Sequence, residues 1–275
     1  MKKCSIVSLL ILAIMLSFTA TFSWGAMKLD IGISTQAGWF GQAAADREMQ
    51  LVADTVKGKV NDVQIFTPDK QGDLATWVEK HTGNKQIDIL IMCGQFPNTI
   101  YKPGNAQANG SIAEKFLEDG NMIMNTGDYM FYVVDGAGTN AAGGLENMMD
   151  IPGISMWDDD TPIKITADGK KYIPTLVDYP TDRPWHLNEI KAPWKAEVIF
   201  GQNGAGTRAE PAVMLDEKTN GRLVTIYQTA GQDADPRGKA ISEFIINWMP
   251  TIAGKIAVDQ NGKLGATWGQ IKAGN

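Results

Sequence analysis

Four residues of the sequence carry side chains that could act in acid–base or nucleophilic chemistry. Asp128 follows a buried-looking apolar run, and His186 lies three residues before Glu189. Such groups transfer protons when they come within about 3 Å, or one water, of the same substrate atom. Cys93 is a candidate nucleophile, because a thiolate is reactive when a base or a helix dipole lowers its pKa. These four residues are the candidate catalytic groups.

Each candidate also has a structural interpretation, which the sequence favours. A free cysteine is among the most commonly buried residues, and no base lies near Cys93 in the sequence. A single loop histidine more often makes a hydrogen bond than catalyses a reaction. Because His81 and His186 are the only histidines, a His-rich zinc site is excluded. The aspartates at 158 to 160 lack the spacing of a calcium loop, so we expect a solvated acidic turn, no metal and no cofactor.

The first 25 residues have the pattern of a targeting segment. A basic start precedes the apolar run Ile6 to Phe18, which is too short for a comfortable membrane span. Small residues before Ala26 predict cleavage near Gly25–Ala26 and an exported chain, periplasmic or extracellular. An uncleaved membrane anchor is the alternative. Cleavage would leave Cys93 as the only cysteine, so the exported chain would have no disulfide.

Composition narrows the class of protein further. The formal net charge is −6 and no basic stripe occurs, so a nucleic-acid partner is not indicated. No membrane association is expected beyond the targeting segment. The remaining residues suffice for one sizeable core. We expect one α/β domain over residues 26–256 and a C-terminal tail over 257–275.

The stretch from Gln86 to Val134 predicts the fold. Ile87 to Met92 is a nearly continuous apolar run, typical of a strand covered on both faces. Ser111 and Glu114 form a capping box that opens a short helix, and Met122 begins another buried strand. Two further strand and helix patterns precede this βαβ unit. The sequence therefore predicts a doubly wound, flavodoxin-like, mostly parallel sheet with helices on both faces.

The C-terminal half changes character after Asp135. We expect two β-hairpins there, one around Ala167–Gly169 and one around Asn220–Gly221. A final helix with one apolar face follows Asp235 and stops at Pro250. The domain is thus a doubly wound sheet with added hairpins.

Several of these segments resemble the class I glutamine amidotransferase-like fold. They are the Cys93-Gly94 loop, a helix closing on Phe116 to Gly120, the turn Asn125-Thr126-Gly127, and the late strand Gly221 to Gly231 with a last helix ending near Trp248. The trehalose-utilisation (ThuA-like) branch is the most similar. The resemblance implies a nucleophile elbow after the fourth strand, where this chain has no cysteine. It also implies histidines that the branch often carries, where this chain has Thr126 and Gln232.

The fold predicts where a ligand would lie. In a doubly wound sheet, ligands sit beyond the carboxyl ends of the strands, at the switch point. Four loops with glycine beside polar side chains should gather there. An indole such as that of Trp39 could stack on a sugar ring; the alternative is that it packs over the edge of the sheet. The predicted ligand-binding residues are Gln36, Trp39, Cys93, Gly94, Asn125, Thr126, Gly127, Asp128 and Gln232.

Three functional hypotheses remain open from the sequence. The first is a non-enzymatic domain that binds a small polar ligand, plausibly carbohydrate, through Gln36, Trp39, Asn125 and Asp128. The second is a hydrolase or isomerase for a sugar-like substrate that uses Asp128, His186 and Glu189 as acid and base. The third is a structural or interaction module whose tail recruits a protein partner of unknown identity.

Overall fold

The computed structural model describes residues 26 to 252, so the predicted targeting segment and the predicted C-terminal tail lie outside the described residues. No helix within this range is long and apolar enough to cross a membrane. The strands are β1 (Met27–Ser34), β2 (Val60–Phe66), β3 (Ile89–Met92), β4 (Gln95–Phe96), β5 (Met122–Asn125), β6 (Val133–Val134), β7 (Thr161–Ile165), β8 (Tyr179–Thr181), β9 (Trp185–His186), β10 (Trp194–Ile199), β11 (Gly201–Gln202), β12 (Arg208–Ala209), β13 (Ala212–Asp216) and β14 (Arg222–Thr225). The helices are α1 (Gln42–Val56), α2 (Gln71–Lys80), α3 (Ile112–Glu118), α4 (Gly143–Met149), α5 (Ala167–Tyr172) and α6 (Arg237–Glu243), which a π-helical stretch, Phe244–Trp248, continues.

The central sheet has seven strands in the order β10-β13-β14-β5-β3-β1-β2. Strands β14, β5, β3, β1 and β2 pair in parallel. Strand β13 runs antiparallel to β14, and β10 runs antiparallel to β13. All four residues of β3 are buried, which explains why this strand appears in the sequence as an unbroken apolar run. The predicted doubly wound, mostly parallel sheet is confirmed.

Helices cover both faces of this sheet and create two cores. On one face, α1 and α6 bury apolar side chains such as Met49 and Ile241 against the strands. On the other face, α2 and α3 contribute side chains such as Trp77 and Phe116. The central strands are therefore covered on both sides, whereas the edge strands β2 and β10 keep exposed polar residues such as Asp62 and Lys195.

Helix α3 begins as its sequence predicts. The Ser111 hydroxyl accepts a hydrogen bond from the backbone N–H of Glu114 at 3.1 Å. The Glu114 carboxylate in turn accepts one from the backbone N–H of Gly110. This reciprocal pairing satisfies donors that a helix start leaves free, so the capping box is confirmed.

Of the two predicted hairpins, one is confirmed and one is wrong. Strands β13 and β14 pair antiparallel around Asn220. At Ala167–Gly169 the chain instead forms helix α5, because the Thr166 hydroxyl accepts a hydrogen bond from the Gly169 N–H and caps the helix. Strand β7 pairs with β8 and β11 in a five-stranded sheet of order β8-β7-β11-β12-β9. That small sheet includes β8 (Tyr179–Thr181) and β9 (Trp185–His186).

Glycine at position 32 is required by the packing of α2 on β1. A Cβ atom at Gly32 would lie 2.7 Å from the Trp77 ring, whereas a Cβ at Gly72 in α2 would have no atom within 4 Å. We expect Gly32→Ala to lower the free energy of unfolding by about 1–3 kcal/mol through overpacking. The matched variant Gly72→Ala should be neutral or stabilising by up to about 1 kcal/mol, because alanine favours a helix. Urea unfolding measures both, and equal effects would contradict this packing.

Candidate functional site

The strand order identifies the switch point of the sheet. The chain passes from β1 to β2 on one side and then crosses to β3 on the other side of β1. The loops that leave β1 and β3 therefore diverge at the carboxyl edge, where doubly wound sheets bind ligands. These two loops approach closely: Ala37 and Gly94 form an isolated antiparallel bridge, and the Gly38 N–H donates to the Cys93 carbonyl at 2.8 Å.

Side-chain amides occupy this switch point. The Gln36 Nε2 donates to the Gln95 Oε1 at 2.9 Å, and the Gln95 Nε2 donates to the Ala37 carbonyl at 2.5 Å. Two buried acceptors here, the Gln36 Oε1 and the Thr35 Oγ1, have no hydrogen-bond partner among the described residues. A buried polar atom without a partner costs free energy, so these two oxygens are left unsatisfied by the described residues. Gln36 was predicted from the sequence; Gln95 was missed.

Trp39 extends from the same loop and is 53% exposed. Its carbonyl accepts a hydrogen bond from the Gly231 N–H at 2.6 Å. The Gly41 N–H donates to the Asp233 carboxylate at 2.7 Å. The loop after β1 is therefore attached to the loop after β14, and the exposed Gln232 lies on that second loop. The structure thus brings Gln36, Trp39 and Gln232 to one edge.

Asn125, at the end of β5, forms the floor of this edge and is fully buried. Its Oδ1 accepts from the Gly94 N–H at 3.1 Å. Its Nδ2 donates to the Asp128 carbonyl at 2.6 Å and to the Gln228 Oε1 at 3.1 Å. All of these hydrogen bonds join loops of the protein to one another. This predicted ligand-binding residue therefore lies beneath the surface.

The turn where the resemblance places a nucleophile elbow is also occupied by hydrogen bonds within the protein. The Gly127 N–H donates to the Tyr227 carbonyl at 2.9 Å, and the Thr126 hydroxyl donates to the same carbonyl at 3.3 Å. Gly127 has a φ of +105°, and a Cβ there would lie 2.5 Å from the Phe40 ring. Glycine is thus required twice, for its conformation and for the close approach of Phe40.

Cys93 lies under this turn and is fully buried. Burial raises the pKa of its thiol to about 12, although the nearby Arg237 opposes the shift. The thiol is therefore neutral at ordinary pH and cannot supply the thiolate that nucleophilic attack requires.

The three proton-transfer candidates do not form one group: Asp128 pairs with Arg183, and His186 pairs with Glu189. Asp128 is 3% exposed, and its Oδ1 lies 3.2 Å from the Arg183 Nε. Burial raises the pKa of Asp128, while its hydrogen bond from Tyr129 and the Arg183 charge oppose the shift. His186 instead places its Nδ1 3.0 Å from the Glu189 Oε1. Among the described residues no hydrogen bond or ion pair joins Asp128 directly to His186. The link is indirect, because Arg183 donates to the Asp158 carbonyl and the Asp158 carboxylate lies 3.6 Å from the His186 Nε2.

The structure adds a buried acid that sequence reasoning missed. Glu210 precedes β13, which runs antiparallel to β14, so this carboxyl lies at the same edge as the ends of the parallel strands. Glu210 is fully buried and accepts a hydrogen bond from the Tyr179 hydroxyl, while its Oε1 has no partner among the described residues. Burial raises its pKa to about 7, although the hydrogen bond from Tyr179 opposes the shift. Its only sequence signal is a Glu-Pro pair before an apolar strand.

Two concave surfaces lie away from this edge. One, of about 470 Å³, is a groove between α1 and the edge strand β2, with Lys57 and Asp62 in its lining. The other, of about 130 Å³, lies beside α3 and includes Trp194 and Asp216. In residues 26–252, no group of three or more His, Cys, Asp or Glu side chains could hold a metal ion.

Comparison with known proteins adds one structural similarity. No protein-family model and no curated protein matches the sequence. Among solved structures, the chain is similar to a ThuA-like protein from Bacteroides uniformis, with a TM-score of 0.44 and 11% sequence identity. The match covers 83% of this chain and 94% of that chain. At this level the similarity bears on neither substrate nor mechanism.

The buried acid predicts how stability depends on pH. The folded chain holds the Glu210 pKa at about 7, above the ordinary 4.5. Between pH 4.5 and about pH 7, Glu210 is ionised in the unfolded chain but stays protonated in the folded chain. The free energy of unfolding should therefore fall as pH rises through this range, by on the order of 3 kcal/mol. Glu210→Gln removes this titration. The variant should therefore gain stability relative to wild type between pH 4.5 and 8.

Urea unfolding at the two pH values measures this gain. Glu79→Gln, on the exposed side of α2, controls for the loss of one carboxylate. If the free energies of unfolding of the wild type and Glu210→Gln differ by the same amount at both pH values, the buried, neutral state of this carboxyl is contradicted.

Proposed function

We propose that this protein binds a small polar ligand of the carbohydrate class at the carboxyl edge of its parallel sheet, without catalysing a reaction. The observation that carries the proposal is the switch point itself. Two side-chain amides, Gln36 and Gln95, meet there beside buried acceptors that lack partners and beside the exposed Trp39. No predicted nucleophile or acid–base pair accompanies them.

The chemistry of these groups favours a neutral polyhydroxyl ligand. Amide side chains both donate and accept hydrogen bonds, as sugar hydroxyls do. The unpartnered Gln36 Oε1 and Thr35 Oγ1 call for donors, and each hydroxyl supplies one. Indole rings offer a large apolar face against which the C–H face of a sugar can stack. The net charge of −6 disfavours a polyanionic ligand.

The assignment to the ThuA-like branch of the amidotransferase-like fold is part of the same proposal. It is supported by the turn Asn125-Thr126-Gly127 at the end of β5 and by the segment Gly221 to Gly231, which contains β14. Trp248 ends the π-helical stretch after α6, as the resemblance implies. Thr126 and Gln232 stand where the branch often carries histidine, so we propose that its chemistry is lost.

Export is proposed on the first 25 residues alone. A chain released outside the cytoplasm would meet free saccharides directly, which is consistent with a binding role.

An enzymatic role is the second candidate, and one observation favours it. Glu210 has a pKa of about 7, a value suited to general acid–base catalysis near neutral pH. Its carboxyl is fully buried beneath Tyr179, however, and catalysis would require a substrate to reach it. Loss of a measured saccharide-processing activity in Glu210→Gln, with binding retained, would favour this candidate.

Binding can be tested with neutral saccharides and matched variants. The probes are glucose, galactose, mannose, maltose and cellobiose, followed by calorimetry and tryptophan fluorescence. We expect at least one probe to bind the wild type, and Gln36→Leu and Trp39→Ala each to weaken its binding about tenfold, the equivalent of 1.4 kcal/mol. Both positions contact the proposed ligand.

The controls change one exposed glutamine and one exposed apolar residue elsewhere on the surface. Gln202→Leu lies in the small sheet, and Leu51→Ala removes an exposed apolar side chain from α1. Both controls should bind as the wild type does. Binding that is unchanged in Gln36→Leu and Trp39→Ala, or the failure of all five saccharides to bind, would contradict the proposal.

A further inference from the structure

A second exposed tryptophan lies at the same edge of the sheet. Trp157 is 47% exposed, yet three side chains contact its indole. The rings of Tyr129 and Tyr132 meet it edge-on, with centroids at 5.4 and 5.2 Å. The Arg183 guanidinium covers one face, 4.4 Å from the ring centroid. An exposed aromatic ring that is already ordered loses little conformational entropy when a ligand binds.

Polar groups surround this indole. Arg183 donates through its Nη1 to the Asp159 Oδ1 at 2.7 Å and to the Asp158 carbonyl at 2.5 Å. The Asp158 carboxylate is itself held by the Arg208 Nε at 2.5 Å. Asp159 remains largely exposed, with 81% of its side-chain surface accessible. A partly exposed indole beside an oriented guanidinium and an exposed carboxylate suits a ligand with one apolar face and hydroxyl groups at its rim.

The loop after β14 connects this indole with the first site. The Asp182 carboxylate, next to Arg183, accepts from the Ala230 N–H at 2.7 Å. The following residue, Gly231, donates its N–H to the Trp39 carbonyl. Two consecutive residues of one loop therefore contact the segment that carries Trp39 and the Asp182–Arg183 segment, whose guanidinium covers Trp157.

We infer that Trp157, Arg183 and Asp159 form a second stacking subsite, so that the ligand is an extended oligosaccharide crossing the loop at Ala230 and Gly231. This inference rests on the proposed function, because the first subsite is the switch point with Gln36 and Trp39. A disaccharide fills the first subsite alone. A longer chain reaches Trp157 and gains the stacking contact there.

The internal pairing of charges supports a neutral occupant. Arg183 already faces Asp128 and Asp159, and Arg208 faces Asp158, so both of these cations are already paired. An anionic ligand would have to displace one of these pairs. A neutral saccharide keeps them and adds hydrogen bonds to groups that remain partly exposed.

The test is a comparison of chain lengths in the full-length protein. The probes are maltose and maltohexaose, and cellobiose and cellohexaose. In the series that binds, we expect the hexasaccharide to bind the wild type about tenfold more tightly than the disaccharide. Trp157→Ala should abolish that gain and leave disaccharide affinity unchanged, while Trp157→Phe should retain part of it. Val177→Ala, at an exposed apolar side chain elsewhere, should change neither affinity.

The outcomes separate this inference from the proposed function. Disaccharide binding that depends on Gln36, together with a hexasaccharide gain that is absent or survives Trp157→Ala, would overturn the second subsite and leave the first intact. Equal weakening of both lengths by Trp157→Ala would place Trp157 in the first site and also overturn the inference. The failure of every saccharide to bind the wild type would contradict the proposed function itself. Circular dichroism and thermal unfolding verify that each variant is folded.

Discussion

The arrangement of the carboxyl edge depends on the side chain of Asn125. One amide joins three loops, because it accepts from Gly94 after β3, donates to Asp128 in its own turn, and donates to Gln228 after β14. The parallel register of β3, β5 and β14 brings these loops to the same level. Buried side-chain hydrogen bonds of this kind fix a geometry that surface contacts would leave variable. The switch-point amides and Trp39 therefore rest on a rigid floor.

Local patterns were sufficient to predict most of the sheet. Ile89–Met92 is buried on both faces and reads as an apolar run, and Ser111 caps α3 through a contact only three residues away. At Thr166 a contact of the same kind gave a different structure from the predicted one. Its hydroxyl caps a helix, whereas the turn-forming residues had indicated a hairpin. Turn composition alone does not distinguish the two structures, because Asp and Gly suit a helix start as well as a β-turn.

The site was predictable only in part, because its contacts are between distant residues. Gln36 and Trp39 could be proposed from their loop, which follows β1. Gln95 becomes relevant only through its contact with Gln36, 59 positions away, and Glu210 only because β13 is antiparallel to β14. Cys93 and Asp128, which the sequence indicated for their chemistry, are instead buried, and Asp128 is paired with Arg183. The residue types indicated which side chains could react or bind, but tertiary packing determines which of them a ligand can reach.

Backbone amide hydrogen exchange of the full chain, with and without maltohexaose and cellohexaose, tests the central claim that the ligand lies at the carboxyl edge. Ligand contact slows local opening, so the account predicts slower exchange in residues 36–42 and 229–233, with a smaller effect at 157–160. Exchange along the groove between α1 and the edge strand β2 should not change. Protection confined to residues 50–65, with none at the carboxyl edge, would contradict the account.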